Sequence, residues 1–135
     1  MKRILVFAAA LLFVGLVRVG LAEPQDQERP KDLAALERKL IGSWKGEIGC
    51  AGNFLFRADG TYALTGYGPG ADDSAGTWTV RWHALPPTLV LRCTSSEVPG
   101  EAGKSMEMKL LELDDRNLLV KHANPDADRY ARVKK

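Results

Sequence analysis

The stretch Ala75-Gly-Thr-Trp-Thr-Val-Arg-Trp-His83 most constrains what this chain can fold into. Successive side chains of a strand leave opposite faces, so Trp78, Val80 and Trp82 share one side and Thr77, Thr79 and Arg81 the other. A half-buried strand carrying two indoles on its apolar side needs a closed interior or a second layer to receive them. Neighbouring strands are therefore expected to curve around it. The expectation is an all-β fold: an eight-stranded up-and-down antiparallel meander barrel preceded by a short N-terminal helix.

The first 22 residues read as a signal peptide: Lys2 and Arg3, an apolar run from Ile4 to Val17, then the small residues of Gly20-Leu-Ala22. The run is short for a membrane span and Arg18 interrupts it, so no integral membrane segment is expected after cleavage. The expected location is secreted or periplasmic. Three of the 19 Lys and Arg residues lie in this segment and no acid does, which leaves 16 basic against 17 acidic groups in the mature chain. That near-neutral balance removes the main physical support for nucleic-acid binding. The mature length suits one core. Residues 23–31 are polar with two prolines and read as a flexible leader, and 32–135 as the barrel domain.

Leu33, Leu36, Leu40 and Ile41 recur at helical spacing, with Asp32 as N-cap and Gly42 as stop. The first strand, Gly42 to Cys50, would place Trp44, Gly46, Ile48 and Cys50 on one face. Phe54 and Phe56 share a face of the second strand, Asp59-Gly60 makes a tight turn, and Tyr62 and Leu64 point inward from the third. Gly68 to Ser74 and Thr94 to Lys104 read as loops. Leu89, Leu91 and Cys93 are in phase on the fifth strand. On the sixth, Met106, Met108 and Leu110 fall on one parity but Leu111 and Leu113 on the other, which predicts a bulge near Leu110. Leu118 and Val120 face inward on the seventh strand, and Arg129 to Lys134 closes the set.

Gly42-Ser-Trp44, following a short helix, resembles the Gly-x-Trp motif of lipocalins and of shorter bacterial lipocalin-like domains. The Phe54 to Gly60 strand and turn, Gly76-Thr-Trp78 and the closing Tyr130-Ala-Arg132 extend the likeness over about residues 33 to 135. The chain is similar to uncharacterised exported lipocalin-like proteins, although it is shorter than the long lipocalins and lacks an evident C-terminal helix. The resemblance implies a calycin-type barrel in which Arg132 packs over Trp44 as a structural pair.

A barrel of eight strands is either filled by side chains or just wide enough for one small ligand. If it holds a ligand, Phe56, Tyr62, Trp78, Trp82, Leu91 and Met108 are the expected interior contacts, and a small apolar or amphiphilic molecule the expected occupant. The alternative is a ligand-free interaction or inhibitor module acting on a protein partner, not identified by the sequence, through Gly68 to Ser74 and Thr94 to Lys104. No enzyme activity, cofactor or metal is expected: the sequence has no Gly-x-Ser-x-Gly or phosphate loop, and its cysteines lack metal-site spacing. His83 and His122 read as solvated loop-edge residues. Cys50 and Cys93, the only cysteines, are expected to form a disulfide across one mouth, with two buried free thiols as the alternative.

Overall fold

The computed structural model of the chain describes residues 31–48, 51–123 and 126–134. Helix α1 (Lys31–Leu40) precedes β1 (Gly42–Gly46), β2 (Ala51–Phe56), β3 (Thr61–Tyr67), β4 (Asp72–Arg81), β5 (Thr88–Ser96), β6 (Ser105–Leu113), β7 (Asn117–Lys121) and β8 (Ala127–Arg132). Each strand pairs antiparallel with the next, and β8 pairs with β1, so the sheet closes on itself. The expected fold is the observed one. The expected signal peptide and nearly all of the leader lie outside the described residues. Among those residues, no helix is long and apolar enough to cross a membrane.

The helix ends one residue before β1, which holds it against the end of the barrel where β1 begins. Its Leu40 is fully buried, and the Trp44 indole donates to the Leu40 carbonyl at 2.8 Å. Trp44 sits directly opposite Arg132 in the β1–β8 register, so both side chains leave the same face of the sheet. The Arg132 guanidinium carbon lies 4.2 Å from the Trp44 ring centroid. Its Nη1 donates to the Ile41 carbonyl at 3.0 Å and its Nη2 to the Lys39 carbonyl. One cation thereby satisfies two of the carbonyls that a helix end leaves without partners. Gly42 has φ +136°, and a Cβ there would stand 2.6 Å from Arg132 Nη1. The glycine of Gly-x-Trp is thus required both by the left-handed backbone and by the arginine beside it.

Above this floor, the Phe54 ring stacks on Phe56 at 5.0 Å and lies 5.3 Å from Tyr130, while Trp78 meets Phe56 edge-on at 5.7 Å. Leu89, Met108, Leu118 and Val120 complete a fully buried layer. The predicted bulge on the sixth strand is present, as a register shift between Leu110 and Glu112 that turns Leu111 outward at 46% exposure and brings Leu113 against the core. Ile48 departs from expectation. The first strand stops at Gly46, so Ile48 is not held to its parity and is 67% exposed in the turn.

Arg132→Ala should cost about 2–3 kcal/mol in urea unfolding, since it removes a cation from an indole face and leaves helix-end carbonyls unpaired. Arg81 pairs with Glu107 at 2.8 Å, but both side chains are more than half exposed. Arg81→Ala should therefore stay within about 0.5 kcal/mol. Equal losses at the two positions would contradict a floor held by Arg132.

Candidate functional site

The two ends of the barrel are unlike. At the floor, Leu40 and Trp44 are fully buried where α1 meets β1, whereas at the far end a cavity of about 420 Å³ opens between the β3–β4 and β5–β6 loops. Its wall comes from β3 to β6. On the opposite side, Phe54 and Tyr130 already fill the interior, and the Tyr130 hydroxyl donates to the Ala51 carbonyl at 3.0 Å.

Tyr62, Leu64, Leu91 and Met106 form the apolar lining. Ser74 and Cys93 sit higher, next to the Tyr62 hydroxyl. At the rim stand Asp72, Asp73, Glu101 and Lys104, with Pro69 and Val98 between them. Several of the rim charges are already committed. Lys104 Nζ lies 2.7 Å from Glu101 Oε1, and the Asp73 carboxylate accepts from the Gly66 amide at 2.9 Å. The Asp73 amide in turn donates to Glu97 at 3.0 Å, tying the β5–β6 loop to the start of β4.

Backbone irregularity makes the room. The β3–β4 register shifts between Leu64 and Tyr67, and the β4–β5 register between Ala75 and Gly76, where Thr94 is the extra residue. A bulge bends and twists the strand that carries it. At Gly76 the neighbouring backbone comes so close that a Cβ would stand 1.9 Å from the Arg92 carbonyl oxygen, which only glycine permits. The expected loops are accordingly shorter than predicted: β4 begins at Asp72, paired with Tyr67, and β5 extends to Ser96.

Of the expected interior contacts, the structure brings only Tyr62 and Leu91 to the cavity. Phe56, Trp78 and Met108 lie in the filled layer near the floor. Trp82 is at the floor itself, half-buried, its indole donating to Glu37 of the helix at 3.0 Å. Leu64, Tyr67, Met106 and the charged rim were not singled out as contacts. The parity of Leu64 and Met106 already turned them inward; their height above the floor was the missing signal.

No disulfide is seen among the described residues. Cys93 carries a free thiol 3.2 Å from the Ser95 carbonyl, and Cys50, its expected partner, lies outside the described residues. His83 is exposed, as expected. His122 is not solvated: its side chain is 11% exposed, with Nε2 2.9 Å from Asp128 Oδ2. No protein-family model matches the chain, and no curated protein does.

Burial raises the Tyr62 phenol above its usual value, with the Cys93 neighbour adding to the effect. Burial holds Tyr130 further up, reinforced by the Asp128 charge. A phenol ordinarily ionises near pH 10. Above that pH the unfolded chain releases these protons while the folded chain retains them, so stability is complete below about pH 10 and falls as pH rises beyond it. Tyr130→Phe should flatten that fall, read as the urea midpoint between about pH 9 and 11. An unchanged slope would mean that the hydroxyl is not held neutral by the fold.

Proposed function

We propose that the chain is an exported, non-catalytic carrier or binding protein of lipocalin-like type, taking one small apolar or amphiphilic molecule into the open half of its barrel. The observation that carries this reading is the asymmetry between a packed floor and a cavity of about 420 Å³ at the other end. That volume falls within the roughly 300–1,000 Å³ usual for small-molecule sites, and an apolar wall with a few polar groups is their usual lining. The Arg132–Trp44 geometry supports the lipocalin-like assignment independently of the cavity, because that packing was implied by the Gly-x-Trp likeness. Export rests on the charged, apolar and small-residue order of residues 1–22.

The neutral dye N-phenyl-1-naphthylamine should bind the folded protein saturably at one site with enhanced fluorescence. Met106→Trp, which fills the cavity from its wall, should weaken this binding by about tenfold or more while circular dichroism stays unchanged. Absence of saturable binding by well-folded protein, or binding indifferent to Met106→Trp, would sink the proposal. The two loops at the mouth would then stand as a protein-contact surface.

A further inference from the structure

The charges of the barrel are sorted by end. Among the described residues, the turns at the mouth, together with the two aspartates that open β4, carry six carboxylates: Glu47, Asp72, Asp73, Glu97, Glu101 and Asp126. Against them stand Lys104 in the turns and, in the last two residues of β1 and of β7, Lys45 and Lys121. At the floor, the helix and the three loops beside it carry five acids and five bases, so the acidity belongs to the mouth and not to the protein as a whole. Three of the six, Asp72, Asp73 and Glu101, line the cavity itself.

An amphiphile entering this cavity tail-first leaves its head among those groups. A carboxylate head would meet a concave rim of like charge, and the one ammonium lining the cavity, Lys104, is already paired with Glu101 at 2.7 Å. To use Lys104 it would have to displace Glu101 and leave that carboxylate facing it. A quaternary or primary ammonium head meets the opposite situation. The Asp72 carboxylate forms no hydrogen bond or ion pair among the described residues, and the potential of the whole mouth draws a cation inward. Clefts lined by one sign of charge concentrate ligands of the other, and the same like-charge contact that attracts one head group rejects its counterpart.

Resting on the cavity-binding reading above, we propose that the ligand class is a cationic amphiphile, an apolar tail with an ammonium head, and that fatty-acid-like anions are excluded. The test displaces N-phenyl-1-naphthylamine with three decyl compounds that differ only in the head: decyltrimethylammonium, decanol and decanoate, at pH 7. At about 0.05 M salt, decyltrimethylammonium should displace the dye at roughly tenfold lower concentration than decanoate, with decanol between them. The gap should narrow at about 0.5 M salt, where exposed charges are screened. In the double variant Asp72→Asn/Glu101→Gln the preference for the ammonium head should fall by about threefold or more, while decanol is unaffected. Equal displacement by decanoate and decyltrimethylammonium, with decanol still binding, would overturn the charge selection and leave the cavity reading intact. Failure of the dye and of all three compounds to bind would remove both.

Discussion

A guanidinium laid on an indole and hydrogen-bonded to the end of a helix is the contact that makes the two ends of this barrel unlike. A closed eight-strand sheet has two ends, and neither its ladder hydrogen bonds nor its apolar interior seals either of them. Arg132 does so at one end by three means: cation on ring, donation to two carbonyls, and covering the Gly42 backbone. Its Nε is buried without a hydrogen bond, so the negative face of the Trp44 ring is what offsets the desolvation of that side of the cation. Because Leu40 and Trp44 are both fully buried beneath it, helix and first strand are fixed together at a single point.

From that floor upward the interior changes character. The large rings of Phe56, Trp78, Phe54 and Tyr130 occupy the lower half and the β1–β2–β8 side, where direct ring contacts replace space. Toward the mouth the inward positions of β4 and β5 are Ser74, Gly76 and Cys93, too small to reach across. The sequence thus tapers its interior from bulky to small along the barrel axis, as an eight-strand barrel must if it is to be closed at one end and hollow at the other.

The order, direction and closure of the strands were legible because each apolar pair keeps its parity within its own strand. Trp78 with Val80 and Phe54 with Phe56 do so without ambiguity, and even the irregular sixth strand announced its bulge through the changed parity of Leu113. Ile48 leaves its expected face because parity constrains a residue only while the ladder lasts, and β1 ends at Gly46. Trp82 kept the predicted parity, yet its height places it beside the helix and away from the cavity. Parity gives the face and is silent on distance along the axis. Phe56, Trp78 and Met108 share the inward parity of Tyr62 and Leu91 without sharing their place at the cavity.

The cavity was the least legible feature because side-chain volume alone does not create it. Both register shifts on the β3–β4–β5 wall lie toward the open end, at Leu64/Tyr67 and Ala75/Gly76, and the cavity lies against that same wall. Each extra residue lets one strand bow away from its neighbour, and Gly76 permits the close backbone approach that the bowing demands on the other side of the ladder. The hydrogen bonds joining Asp73 to Gly66 and to Glu97 then hold the two mouth loops to the bulged strands. Those carboxylates carry the charge of the rim as well as its shape, so in this barrel the groups that tie the mouth loops together are also the ones that make the mouth acidic.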